Sequence, residues 1–159
     1  MNAQKIMPCL WFDFKAEEAV AYYLSVFASG RVVGTTRYGE VGPGPKGAVM
    51  TILFELEGQL FLALNGGPQF AFTPAMSLIV DCATQAEIDR LWAALGEGGE
   101  PGQCGWLTDK FGVSWQMVPS RVAEILQSGD DATTARLTRA IMPMTKLNVA
   151  AIERAADGP

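Results

Sequence analysis

Two stretches of the chain carry apolar residues at helical spacing, each framed by shorter apolar runs of the length expected for strands. In the first, Ala19, Val20, Tyr23, Leu24 and Phe27 fall on one stripe of a helix predicted over 15–28. Glu17 and Glu18 sit in its first turn, where the helix dipole favours acids, and Asp13 is placed to cap it. In the second, Thr84-x-x-Glu87 has the form of a capping box, and Ile88, Leu91, Trp92 and Leu95 make the stripe before Gly96 ends it. The spacing that separates Val20 from Ile88 also separates Tyr23 from Leu91, Leu24 from Trp92 and Phe27 from Leu95. One helix is therefore used twice.

The flanking runs repeat with it. A strand over 6–12 precedes the first helix, and strands over 32–38, 48–55 and 59–65 follow, the last two joined by a tight turn at Glu57-Gly58. A strand over 76–82 precedes the second helix, and strands over 98–104, 105–110 and 113–118 follow, with Phe111-Gly112 as the corresponding turn. Strand, helix and three strands, twice over, predict an α+β fold in which the halves pair about a pseudo-twofold axis within one domain. Beyond Pro119, amphipathic stretches over 120–128, 132–142 and 146–156 predict a helical tail, capped at its start by Ser120 and broken by Pro143.

Composition narrows the function classes. With 49% apolar and 18% charged residues the chain has the makings of a globular core, and a net charge of -5 works against nucleic acid and anionic membrane as partners. The segment 1–5 lacks the apolar stretch of a signal peptide and the apolar run 6–12 is far too short to span a bilayer, so the reading is cytoplasmic. Histidine is absent, which removes Ser-His-Asp and Cys-His nucleophilic catalysis. Cys9, Cys82 and Cys104 are odd in number and contain no Cys-x-x-Cys pair; they read as buried, reduced thiols, with a reactive thiol at Cys9 or Cys104 as the alternative, although no histidine or dense basic cluster is there to stabilise a thiolate. Glu40, Glu55 and Asp109 are the carboxylates open to acid-base work, although each also reads as a solvated surface group. The stretch 41–47, rich in Gly and Pro, lacks the ending of a phosphate-binding loop and reads as a mobile hairpin loop.

The segments Pro8-Cys9-Leu10-Trp11-Phe12, Arg37-Tyr38-Gly39-Glu40, Ala63-Leu64-Asn65-Gly66-Gly67-Pro68, Cys104-Gly105-Trp106 and Phe111-Gly112-Val113-Ser114-Trp115-Gln116 resemble the vicinal oxygen chelate superfamily. That superfamily spans glyoxalase, bleomycin-resistance and dioxygenase proteins, and the likeness is to its PhnB-like branch, labelled demethylubiquinone methyltransferase-like. The resemblance implies two βαβββ units, 4–68 and 75–118, forming one cup-shaped mixed sheet, with C-terminal helices over 119–159. It implies a homodimer as well. The apolar segment Ile141, Met142, Met144, Leu147, Val149 and Ile152 then either wraps a partner or packs on its own sheet.

In metal-using members the ligands stand on the first and last strands of each unit. The corresponding positions here are Pro8, Leu62, one of Ala75, Met76 or Ser77, and Gln116, a set that does not make a divalent site. No metal and no cofactor is expected. Trp11, Trp106 and Trp115 are candidates to stack a planar ligand, and Asn65 and Gln116, amides on the last strand of each unit, are candidates to bond it. The function expected is that of a small-molecule-binding protein. The alternative is an enzyme acting on a small oxygenated or aromatic substrate: a lyase, a dioxygenase or, on the family label alone, a demethylubiquinone methyltransferase. A glycine-rich turn between first strand and helix, which a doubly wound fold uses for an adenosine-bearing methyl donor, does not occur.

Overall fold

Strand β1 (Cys9–Phe12) runs into helix α1 (Ala16–Val26), and β2 (Gly30–Arg37), β3 (Val49–Leu56) and β4 (Gln59–Asn65) follow. The computed structural model describes residues 4–128 and 130–158. These five elements build a four-stranded sheet in the order β1-β4-β3-β2, with β1 parallel to β4 and the other pairs antiparallel. The turn from β3 to β4 has positive φ at both central residues, Glu57 at 47° and Gly58 at 82°, which matches the right-handed twist of a two-residue hairpin. In β2 the register slips between Val32 and Gly34 and again between Thr36 and Arg37.

The ladder registers sort side chains onto two faces. Leu10, Phe12, Ile52, Phe54, Phe61 and Ala63 lie on the face that α1 covers, against Ala16, Ala19, Val20, Tyr23 and Val26. Cys9, Trp11, Leu53, Leu62 and Leu64 share the opposite face. The first strand is shorter than the 6–12 run predicts: Ile6 is 83% exposed, and pairing starts only where Leu62 N donates to Pro8 O at 3.0 Å.

The second unit repeats the plan. β5 (Ser77–Cys82), α2 (Gln85–Gly96), β6 (Glu100–Pro101), β7 (Trp106–Thr108) and β8 (Ser114–Pro119) give a four-stranded sheet in the order β5-β8-β7-β6, with β5 parallel to β8. Ile88, Leu91 and Leu95 of α2 are buried on one face of it, where Leu107, Trp115 and Met117 stand. The capping box forms with one change. Glu87 N donates to Thr84 Oγ1 at 3.2 Å, while the carboxylate of Glu87 accepts from Ala83 N, one residue before the cap, at 2.9 Å. The predicted strand over 98–104 shrinks to two residues, because Gly99 and Gly102 lie against the backbone of Asp109 and Trp106 in a tight turn.

β8 passes without a linker into α3 (Ser120–Ser128), followed by α4 (Asp131–Ile141) and α5 (Val149–Asp157). Ser120, expected as the cap, is instead the first residue of α3, and its hydroxyl donates to Cys82 O at the end of β5, at 3.3 Å. Asp130 and Asn148 cap the other two helices, accepting from Thr133 N and Ala151 N at 2.7 and 2.8 Å. Val122, Ile125, Leu137, Leu147 and Ile152 form a core of their own, joined by Val118, Ile141, Met144 and Ala156. Of the two uses read for the apolar tail, packing within its own unit accounts for Ile141, Met144, Leu147 and Ile152. The chain divides between Phe72 and Thr73 into two compact units, and the C-terminal helices belong to the second. No helix among the described residues is long and apolar enough to cross a membrane.

Candidate functional site

Asn65 ends β4 on the face beneath α1, where it is 2% exposed. Its Oδ1 accepts from Ala16 N at 2.9 Å, and its Nδ2 donates to Val49 O at 3.1 Å and to a carboxylate oxygen of Glu17 at 3.2 Å. This amide therefore does the work the sequence assigns to Asp13. Lys15 holds the N-cap position of α1 without a side-chain bond, and the first free N–H of the helix is satisfied from a strand far along the chain. Tyr38 donates its hydroxyl to Asn65 O. Gly42 and Gly44 lie flat against the Tyr38 ring, so the 41–47 loop, read as mobile, folds back onto a buried side chain.

Trp11, on the opposite face, is set by other means. Its indole N–H donates to Gly67 O at 2.8 Å and its ring meets Phe70 edge-on at 5.0 Å between centroids. Gly66 is needed for this, since a β-carbon there would drive into the Trp11 ring. Trp11 thus stands half-buried beside Leu62, Leu64 and Leu53, with Cys9 next to it and Phe70 66% exposed. Partial burial of the Cys9 thiol pushes its pKa up. The expectation of three buried thiols holds only for Cys82, whose pKa burial pushes up to about 11; Cys9 is exposed and Cys104 half-exposed, because Cys9 starts its strand and Cys104 sits in a turn at φ 58°.

In the second unit the alternation along β8 separates two of the candidates. Trp115 points beneath α2, is 3% exposed, and donates its indole N–H to Asp109 Oδ2 at 2.8 Å. The other oxygen of Asp109 accepts from Phe111 N at 2.8 Å and Val113 N at 3.0 Å. Asp109, a surface acid on the sequence reading, is thus a 3% exposed organiser of the β7-β8 turn. Gln116 lies on the other face, directly opposite Trp106 across the β7-β8 ladder and beside Ile79 across β5-β8. Its Nε2 donates to Ser77 Oγ at 2.8 Å. That bond identifies Ser77 as the residue of the 75–77 trio that stands next to Gln116.

The candidates therefore fall into three groups. Trp106 and Gln116 are neighbours on one half-open face, together with Ser77 and Ile79, the last 66% exposed. Trp11 stands on the corresponding face of the first unit. Asn65 and Trp115 lie beneath α1 and α2 with their polar atoms bonded to the protein. The positions that the resemblance sets against the superfamily's metal ligands hold no side-chain donor at Pro8 and Leu62, and a neutral hydroxyl and amide at Ser77 and Gln116. That donor set does not fit a divalent cation. Among the described residues no group of three or more His, Cys, Asp and Glu side chains is placed to hold one.

Residues 4–118 match the family described as 3-demethylubiquinone-9 3-methyltransferase. Among solved structures, a Bacillus cereus protein described as a putative 3-demethylubiquinone-9 3-methyltransferase, PhnB protein, is 41% identical and superposes with a TM-score of 0.67, over 73% of this chain and 99% of that one. A Pseudomonas aeruginosa protein shares the fold at 23% identity, with a TM-score of 0.61 over 74% of this chain and 98% of that one. A Staphylococcus aureus protein is 30% identical over 72% of this chain and 95% of its own, with a TM-score of 0.35. No curated protein matches the chain.

Proposed function

The chain belongs to the 3-demethylubiquinone-9 3-methyltransferase family, the PhnB-like branch of the vicinal oxygen chelate superfamily, and from that premise we propose that it binds a small planar molecule without a metal. The observation that carries this reading is the Ser77-Gln116-Trp106-Ile79 face. A half-buried amide is fixed by a neighbouring hydroxyl on one side and set opposite an indole, with an apolar side chain left 66% exposed beside it. An indole and an isoleucine offer stacking area, and Gln116 spends an amide N–H on Ser77, which leaves its carbonyl oxygen to accept from a ligand hydroxyl or N–H. The ligand class this favours is a phenol, hydroquinone or similar hydroxylated ring. Trp11 is the corresponding stacking residue of the first unit, and Asn65 and Trp115 support the two faces from beneath.

Binding is favoured over turnover by the state of the acids. Glu40 is ion-paired with Lys46 and Glu55 with Arg31, both at the surface, and both oxygens of Asp109 accept hydrogen bonds. The turn from β1 to α1 is Asp13-Phe14-Lys15 and that from β5 to α2 is Ala83-Thr84, so neither offers the glycine-rich cradle an adenosine-bearing methyl donor needs. The family name is a label here, and methyl transfer is not part of the proposal.

The test is elemental analysis of the purified protein, calorimetry with Zn, Ni, Mn and Fe(II), and then a fluorescence titration with hydroxylated quinones and phenols. A stoichiometric metal would overturn the proposal. Without one, Gln116→Ala is expected to weaken ring binding roughly three- to tenfold, as for loss of one hydrogen bond, and Trp106→Ala to remove much of the quenching. Binding unchanged in both variants would sink it.

A further inference from the structure

The family match ends at residue 118, yet the next segment is not a loose extension: it builds the Val122-Ile125-Leu137-Leu147-Ile152 core and gathers three arginines on the outside of it. Arg136 and Arg139 on α4 and Arg154 on α5 line one shallow, open cleft of about 370 Å³, with Ala155 and Gly158. This clustering runs against the background of a chain with net charge -5. Among the described residues none of the cleft's three guanidiniums makes a salt bridge. Asp130, which feels the charge of Arg136, has its carboxylate bonded to Thr133 N as the α4 cap.

Arg136 is anchored. Its Nε donates to Ala155 O at 3.0 Å, and its Nη2 to Ala156 O and Thr133 Oγ1, both at 2.9 Å, so it closes the carbonyl end of α5 and holds the two helices together. Those bonds fix the guanidinium plane and leave Nη1 for another acceptor. Arg139 and Arg154 are exposed, and among the described residues their side chains make no hydrogen bond to the protein. The Nη1 of a fixed Arg136 beside two guanidiniums without side-chain bonds is suited to a compact oxyanion, because an arginine with its N–H groups open pairs with phosphate or carboxylate oxygens through two parallel bonds. We propose that the α4-α5 cleft is an anion site that takes a phosphate group of a small soluble molecule, separate from the ring-binding face. Phosphate is favoured over carboxylate by charge: a dianion answers three cations that line one cleft from two helices, and its three oxygens give each guanidinium an acceptor.

The test uses the full chain and inorganic phosphate, followed by amide chemical shifts and calorimetry, with acetate and anionic phosphatidylglycerol vesicles as comparisons. Arg139→Gln and Arg154→Gln remove guanidiniums that support no internal bond, so both variants are expected to keep the parent melting temperature. Phosphate is expected to shift the α4 and α5 amides and to bind about tenfold more weakly to the double variant. Acetate is expected to bind more weakly than phosphate. Phosphate binding that the double variant leaves unchanged, or no binding at all, would overturn the proposal. So would vesicle binding without free-phosphate binding, since it would assign the cleft to a lipid surface. The ring-binding test reads Gln116 and Trp106, so failure of one proposal does not entail failure of the other.

Discussion

Replacing Asp109 by asparagine tests the claim that Trp115 is part of the scaffold. In the parent, Oδ1 accepts from Phe111 N and Val113 N while Oδ2 accepts the Trp115 indole N–H, all within 3.0 Å. Asparagine keeps the shape but turns one acceptor into a donor. If its oxygen stays on the two backbone amides, its NH2 faces the indole N–H; if it flips, its NH2 faces the amides instead. Either way at least one donor at a 3% exposed site loses its acceptor. A charge-assisted bond contributes about 1.5–3 kcal/mol and a stranded buried donor costs about 1–3, so the loss is expected near 3 kcal/mol. That corresponds to a fall of about 6–12 °C in melting temperature for a chain of this size. Trp115→Phe removes the conflicting donor, so the double variant's loss should be about 1–2 kcal/mol smaller than the sum of the single losses. Urea denaturation followed by circular dichroism measures all three. An Asp109→Asn variant within about 0.5 kcal/mol of the parent, the range of an ordinary surface change, would refute the reasoning.

Further predictions follow from single contacts. Asn65→Ala strands Ala16 N and Val49 O beneath α1 and should cost about 2–4 kcal/mol, whereas Asp13→Ala, at the position that fails to cap, should stay within about 0.5 kcal/mol; denaturation midpoints compare them. Gly66→Ala should displace the Trp11 ring, read as a shift in tryptophan emission together with a loss of about 1–3 kcal/mol. Cys82 has a pKa raised from 9.0 to about 11 in the folded protein, so folding favours its protonated form; its contribution is present below pH 9 and lost as pH rises through 11. Cys82→Ala should flatten the stability profile across that window, and in the parent Cys82 should be the last thiol to react with a disulfide reagent.

Local signals served best where structure is made locally. Strand β4 and helix α3 match the predicted spans, the Glu57-Gly58 turn and the Thr84 cap form as their residues imply, and the matched stripes of the two helices bury Val20, Ile88, Tyr23 and Leu91 in corresponding places. What stayed hidden depended on partners distant in sequence. The cap of α1 comes from Asn65, which no window around Asp13 contains. Within β4, Leu60 to Leu64 is apolar on both faces, so its period does not say which face α1 will cover or that Asn65 belongs beneath it. Asp109 did carry a signal: an acid three residues before a glycine turn is placed to accept from the backbone that follows. The Trp106-Gln116 pairing needed the register of a strand only three residues long.

The direct passage from β8 into α3 determines how force and binding energy travel. Pro119 closes the ladder opposite Cys82, and Ser120 bonds back to the same residue, so the helices are clamped to two adjacent strands at the point where they begin. Val118 lies on the strand and also in the helical core, so pulling the helices away would unzip the sheet. An occupant of the arginine cleft would then act as a brace for β5 and β8, raising their resistance to unfolding with the logarithm of its concentration above its Kd. The part of the chain beyond the family match would in this way set the durability of two strands within it.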